Sequence, residues 1–302
     1  MQKSEPMSGG NTLPHLLQKN MPFYIIGLIL IFVIKYFYSR AGAQQLLWLL
    51  APTARWVSFL SGIPFEYVQD IGYANHGMKI LIAPSCSGMQ FMLITAAMLI
   101  FSFVHLSGRL FTGQPFLTGE GFSDMEQKPE DISMYKYNCP VRAAAPPLNR
   151  KLPEMIKGLA WICSSLLLSY FFTILVNGLR IITAIYLPLL FERLRLFGGF
   201  VTPDSLHTAI GTLVYFTALL TLYRLMGHLF YRGSKNSLLR RCLPPVFWYF
   251  FIVLGIPFLN RAYEQNGERF IEFAVLVSSC CAGILLLYCV SILLRKLCRT
   301  RR

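Results

Sequence analysis

The chain has 302 residues, of which 55% are hydrophobic and only 14% are charged. Soluble domains carry about 25% charged residues, so this composition excludes an ordinary soluble globular protein. The net charge is +14, and most basic residues lie beside the ends of apolar runs, where they set the orientation of membrane helices. No basic segment is interleaved with aromatic residues, and we expect no nucleic-acid partner.

The apolar runs predict an all-α membrane protein, a polytopic bundle of about seven transmembrane helices. Each run approaches the roughly 20 residues that a helix needs to cross a bilayer. In chain order, the runs lie at about 22–38, 43–61, 86–106, 159–179, 206–226, 244–260 and 271–294.

A further apolar stretch, 181–200, is interrupted by Pro188 and by the charged sequence FERLR. These interruptions favour an interfacial or re-entrant segment. An eighth span at this place would invert the orientation of everything after it.

Basic residues orient the predicted spans. If spans one and two form a hairpin whose turn contains Lys35 and Arg40, then 107–158, 227–243 and the C-terminal tail fall on the same cytoplasmic side. The N-terminus is then outside. The chain divides into an N-terminal tail and hairpin at 1–61, a core at 62–226 with a cytoplasmic insertion at about 107–158, and a basic loop, two helices and a basic tail at 227–302.

Eight cysteines are present, without CxxC pairs or metal-ligand spacing. Most lie in apolar runs and are typical packing residues. We therefore expect no metal site and no disulfide framework.

Cys86 differs because it lies in the sequence APSCSGMQ, where Pro84 and small residues predict a turn that leads into the third span. A helix N-terminus favours an anion, and hence the nucleophilic thiolate. Ser85, Ser87 and Gly88 would let a substrate backbone approach closely. The alternative is an ordinary helix start with a buried cysteine.

Asn177 and Arg180 form a second candidate at the predicted outer end of the fourth span. They are one helical turn apart and share a face. A charged group in a span is a functional candidate, and a guanidinium suits an oxyanion or carboxylate. Snorkelling of Arg180 to lipid phosphate is the alternative.

His207 is the third candidate, because Pro203 and Asp204 predict a helix start that places it in the first turn of the fifth span. Its alternative role is that of a satisfied polar group. Cys86, Arg180 and His207 then share the outer side, and they match a nucleophile, an oxyanion stabiliser and a proton-transfer group.

The motifs SCSG, NGLRI and SLHTAIG, in this order on three successive helices, resemble the exosortase/archaeosortase family of integral-membrane cysteine transpeptidases. The resemblance covers about residues 62–223, and the exosortase K branch is one candidate subtype. The long insertion at 107–158 and the two helices after the core depart from the family pattern.

The resemblance implies cleavage of C-terminal sorting signals, such as Pro-Glu-Pro followed by a transmembrane helix and a basic end, on exported proteins. Cys86 would form a thioester, Arg180 would stabilise the oxyanion or steer the substrate, and His207 would act as acid and base. The expected place is the bacterial inner membrane with the site facing the periplasm or exterior. A lipid-linked or polysaccharide acceptor is implied, and no cofactor.

Four further residues complete the predicted site. Arg55, in the second predicted span, is the candidate for contact with an acidic residue of the sorting motif, with snorkelling as its alternative. Asn177, Ser85 and Ser87 are candidate substrate-binding residues.

Two other functional classes stay open. A transporter or channel would also place Arg and Asn in spans, and a non-catalytic assembly factor would tolerate loss of all three candidate catalytic residues. The residues do not separate hydrolysis from transpeptidation, because both use the same groups.

Overall fold

The computed structural model describes residues 12–104, 154–194, 202–230 and 238–300. Residues 107–153 of the predicted insertion and residues 231–237 of the basic loop lie outside these ranges. The described residues are mostly helical, with one small sheet. The helices are α1 (Thr12–Tyr38), α2 (Leu47–Ser61), α3 (Met89–Phe103), α4 (Glu154–Leu194), α5 (Pro203–Phe230), α6 (Leu238–Phe250), α7 (Ile256–Leu259), α8 (Ala262–Gln265) and α9 (Gly267–Thr300).

Within the described ranges, six segments are long and apolar enough to cross a membrane. They are α1, α3 with the turn before it, α4, α5, α6 continued through α7, and α9. The predicted helical membrane bundle is confirmed at this level, with six candidate spans where the sequence predicted seven.

The difference lies at α2, which the sequence predicted to be the second span. It has 15 residues, about 22 Å of helix, against roughly 30 Å of hydrocarbon. Residues 43–46 form a turn rather than helix, and Gly62 ends α2 in the left-handed conformation at φ 71°. The apolar run was long enough, but its first residues are not helical.

The direction of α1 also differs from the predicted hairpin. Near its start, Tyr24 stacks on Phe101 at the far end of α3, with ring centroids 5.7 Å apart. At its end, Tyr38 packs in the same apolar cluster as Cys86. The turn after α1, with Arg40, therefore lies at the Cys86 end of the bundle, whereas the predicted topology put it at the opposite end.

Helix α4 runs without interruption through most of the stretch predicted to be interfacial or re-entrant. It continues 14 residues past Arg180 to Leu194, with Pro188 inside it. A proline removes one helical hydrogen bond, and the neighbouring apolar residues keep the helix going. That expectation was wrong as far as residue 194, and Arg180 lies within the helix rather than at its end. Residues 195–200 lie outside the described ranges.

A three-stranded antiparallel sheet precedes Cys86, so the fold is not purely α-helical. Its strands are β1 (Glu66–Val68), β2 (Gly72–Asn75) and β3 (Ile80–Ile82), in the order β1-β2-β3. Asn75 closes the β2–β3 turn by accepting the N–H of Met78 at 2.8 Å. With only three or four residues each, the strands are too short to show a clear alternation in the sequence.

The core forms around α3, which is buried along nearly its whole surface. A helix that is apolar on all sides must be surrounded by other elements. Phe91 and Met98 of α3, Phe216 of α5, Tyr249 of α6 and Val277 of α9 share one buried cluster. The last helices are thus part of the core that holds the Cys86 end in place.

A π turn at Phe251–Gly255 joins α6 to α7. In this turn the N–H of Ile256 bonds the carbonyl of Phe251, five residues back. The next residue, Pro257, has no N–H, so the carbonyl of Ile252 lacks its helical donor. Gln90 of α3 donates to that carbonyl at 3.5 Å, which links α3 to the C-terminal helices.

Candidate functional site

Cys86 lies in a tight turn directly before α3. Residues Pro84–Cys86 form one 3-10 turn, in which the Cys86 N–H donates to the Ala83 carbonyl at 2.8 Å. Gly88 follows in the left-handed conformation at φ 78°, and α3 begins at Met89. The sequence placed Cys86 at or near a helix start, and the structure has it three residues before. We call residues 84–88 the Cys86 turn.

Gly88 is required by both its backbone and its surroundings. A left-handed residue is costly for any side chain with a Cβ. A Cβ at this position would also lie 2.9 Å from Asn177 Cγ and 3.0 Å from Thr173 Cγ2. The Cys86 turn therefore approaches α4 more closely than any other residue would allow.

Asn177 fixes the Cys86 turn from α4. Its Nδ2 donates to the Cys86 carbonyl at 2.7 Å, and its Oδ1 accepts the Tyr215 hydroxyl at 2.6 Å. The residue is fully buried. Both ends of its amide therefore bond within the protein, and the predicted substrate-binding role of Asn177 stays a prediction.

The three candidate catalytic side chains lie together. Cys86 and His207 line the same cavity, and Arg180 Nη2 contacts His207 Nε2. Arg180 is 7% exposed, whereas His207 and Ser85 are exposed and Cys86 is half-buried. The thiol and the imidazole are thus accessible from outside the bundle, while the guanidinium is covered.

The Arg180–His207 contact determines which imidazole nitrogen accepts. A guanidinium has only donors. In a hydrogen bond between the two, His207 Nε2 is therefore the acceptor.

Tyr215 supports the group from α5 and was missed by the sequence reading. The Arg180 guanidinium carbon lies 5.5 Å from the centroid of its ring, within cation–π range. The ring also stacks on Phe91 at 4.5 Å. A signal was available: His207, Gly211 and Tyr215 are spaced by four residues, so they share one helix face. Gly211 leaves room for Arg180, whose Nε would lie 3.3 Å from an added Cβ.

Cys86 and His207 open into a cavity of about 370 Å³ between the sheet and the extension of α4. This volume lies in the range of ligand pockets, roughly 300–1,000 Å³. We call it the Cys86 cavity. Its lining residues are Met78, Lys79, Ile80, Leu81, Ile82, Cys86, Ile181, Ala184, Ile185, Pro188 and His207.

Two other predicted substrate-binding residues are placed elsewhere. Ser87 is fully buried, and its Oγ lies 3.4 Å from the N–H of Met89 at the start of α3. Arg55 is exposed on α2 and lines a separate groove with residues such as Trp56 and Phe171. That groove shares no lining residue with the Cys86 cavity.

Comparison with protein-family models, with curated proteins and with solved structures finds no match to the chain. In the part of the chain that the structure describes, no three His, Cys, Asp or Glu side chains form a group that could hold a metal ion.

Proposed function

We propose that the protein is a membrane cysteine protease or transpeptidase of the exosortase type, which cleaves C-terminal sorting signals of exported proteins. The observation that carries the proposal is that Cys86 and His207 line one cavity and that Arg180 contacts His207. A nucleophile, a proton-transfer group and a fixed cation within reach of one another form the set that acyl transfer needs.

The reaction has two balanced halves. The Cys86 sulfur attacks the scissile carbonyl carbon as its proton passes to His207, and the carbonyl oxygen becomes an oxyanion. The C–N bond then breaks, and His207 returns the proton to the leaving amine, which leaves a thioester on Cys86. Water or an acceptor nucleophile attacks the thioester, gives its proton to His207, and the thiol is regenerated as the C–S bond breaks.

Arg180 has two roles in this scheme. In the resting arrangement its guanidinium contacts His207 Nε2. As the oxyanion forms, the guanidinium turns toward it and frees Nε2 for the thiol proton. A cation at this position stabilises the oxyanion electrostatically.

The proposed orientation puts the Cys86 end outside the bacterial inner membrane. Lys157 near the start of α4 and Arg224 near the end of α5 lie toward the opposite end of the bundle, and basic residues favour the cytoplasmic side. Lys35 and Arg40 lie at the Cys86 end and count against this orientation. The exported substrate's own transmembrane helix would then dock beside the bundle, with the cleavage site at the level of the Cys86 cavity.

The test follows an exported reporter that carries a Pro-Glu-Pro tail, a transmembrane helix and a basic end, in cells with wild-type or Cys86→Ala protein. We expect tail removal only with the wild type. Cys163→Ala is the matched control, because Cys163 is an exposed cysteine of α4 outside the Cys86 cavity. Equal tail removal by the wild type and Cys86→Ala at equal protein levels would favour an assembly factor or a transporter. The mass of the new C-terminus separates hydrolysis from transfer to an acceptor.

A further inference from the structure

We propose that the substrate binds as an extended strand along the free edge of β3, which leads its backbone to Cys86. This inference rests on the proposed function, because it assigns the binding mode of the same site. The occupant is a peptide segment of about three residues with an acidic side chain near the bond to be cleaved.

The first observation is the order of the sheet. β3 pairs with β2 through Ile80, Leu81 and Ile82, and among the described residues no strand pairs with its other edge. In an antiparallel ladder, alternate residues direct their N–H and C=O groups away from the partner strand. β3 therefore has free backbone groups on the side away from β2, and such an edge is a template for another strand.

The second observation is that all three residues of β3, together with Met78 and Lys79 before it, line the Cys86 cavity. A strand that turned one face to a cavity would contribute every second residue, because successive side chains point to opposite faces. A consecutive run indicates that the strand lies edge-on to the cavity.

The third observation is the opposite wall. Ile181, Ala184, Ile185 and Pro188 of α4 line it, and their spacing puts them on one helix face. The cavity is thus a channel with a strand edge on one side, an apolar helix face on the other and Cys86 with His207 at its end. An extended peptide satisfies the edge with its backbone and directs alternate side chains toward the helix.

Lys79 supplies the charge preference. It is exposed, has no ion-pair partner among the described residues, and lines the cavity directly before β3. Its backbone is left-handed at φ 55°, which turns the chain into β3. In a cavity that is otherwise mostly apolar, its ammonium favours a carboxylate on the bound segment.

The backbone test uses the full chain in detergent with a synthetic tail peptide whose cleavage site has been mapped on the reporter. Each of the three secondary amides nearest that site is N-methylated in turn, because an amide that precedes proline has no N–H to replace. We expect about a tenfold loss of cleavage where the N–H faces β3, as loss of a ladder hydrogen bond predicts, and less than about a twofold change where it faces away. Equal effects at all three positions, or none, would overturn the inference.

The charge test compares Lys79→Glu with Arg261→Glu. Both residues are exposed, basic and left-handed at φ 55°, but only Lys79 lines the Cys86 cavity. We expect Lys79→Glu to slow cleavage of the acidic peptide and to speed cleavage of a peptide with Lys in place of the acid. Arg261→Glu should cleave both as the wild type does, and the same result for Lys79→Glu would overturn the charge assignment.

The two levels of failure are distinct. Cys86-dependent cleavage with a flat N-methyl pattern removes only the edge-strand inference. Failure of the wild type to cleave the peptide, or equal cleavage by Cys86→Ala, removes the proposed function and the inference with it.

Discussion

The side-chain amide of Asn177 donates to the main-chain carbonyl of Cys86 over 2.7 Å. This bond joins the middle of α4 to the turn that carries the candidate nucleophile. The position of the Cys86 turn therefore depends on a residue that is fully buried. Positioning and chemistry are thus carried by different side chains of one network.

We expect Asn177→Leu to lower tail cleavage by about tenfold or more and the free energy of unfolding by about 1–3 kcal/mol, because two buried partners lose their hydrogen bonds. Tyr215→Phe is the milder control, since it removes only the hydroxyl that donates to Asn177. Peptide cleavage and thermal unfolding measure the two effects. Wild-type cleavage by Asn177→Leu would contradict the positioning role.

Gly88→Ala tests the close approach of the Cys86 turn to α4. The substitution meets backbone strain, about 1–3 kcal/mol for a left-handed residue, and in addition a clash with Asn177. Gly62→Ala is the matched control, because Gly62 is also left-handed, at φ 71°, but has no atom within 4 Å of an added Cβ. We expect Gly88→Ala to be clearly the more destabilised in thermal unfolding. Equal loss in both variants would mean that the approach to α4 is unimportant.

Arg180→Gln tests the cation beneath the thiol. We expect tail cleavage to fall by about 100-fold or more, as loss of an oxyanion donor predicts. Arg180→Lys should fail to restore it, because an ammonium cannot reproduce the geometry of a guanidinium. Alkylation of Cys86 by iodoacetamide, resolved by mass spectrometry, should persist in both variants. Cleavage within about threefold of the wild type would remove Arg180 from the mechanism.

The direction of α1 can be tested by thiol labelling in a chain whose other cysteines are replaced by serine. Ser39 is exposed just after α1, and Met21 is exposed near its beginning. We expect an impermeant maleimide to label Ser39→Cys from the same side as Cys86, and Met21→Cys only from the opposite side. Labelling of Ser39→Cys and Cys86 from opposite sides would restore the seven-span hairpin.

The π turn predicts that Pro257→Ala restores part of the stability that Gln90→Leu removes. Gln90→Leu should lower the free energy of unfolding by up to about 1 kcal/mol, because it removes the only described donor to the Ile252 carbonyl. Pro257→Ala restores a backbone N–H at the position that would bond this carbonyl. We expect the double variant to be more stable than Gln90→Leu alone in thermal unfolding. Additive losses would show that Gln90 does not serve this role.

Much of the site could be predicted from sequence because its signals are local. Pro84 and Pro203 indicate helix starts, and Asn177 and Arg180 are one helical turn apart, which puts them on one face. The partners of each group could not be predicted so directly. The Asn177 amide bonds Cys86 and Tyr215. These bonds depend on how α4 and α5 pack, which local sequence does not encode.

Helix limits and short strands were harder to predict, because length and hydropathy are ambiguous there. The run at 43–61 has enough apolar residues for a span, yet only 15 of them are helical. Pro188 suggested a break, but α4 continues past it to Leu194. The short strands β1 to β3 lie below the length at which alternation is recognisable.

The bond from Gln90 to Ile252 bears on how the molecule can be divided. All three sequence motifs lie before residue 212, which suggests that this part of the chain could be transplanted alone. The Ile252 carbonyl, which Pro257 leaves without a helical donor, accepts a hydrogen bond from Gln90 in the first turn of α3. A graft without the last helices would lose this tie and the buried packing of Tyr249 and Val277. We therefore expect the three motifs to keep their arrangement only in a graft that includes the C-terminal helices α6 and α9.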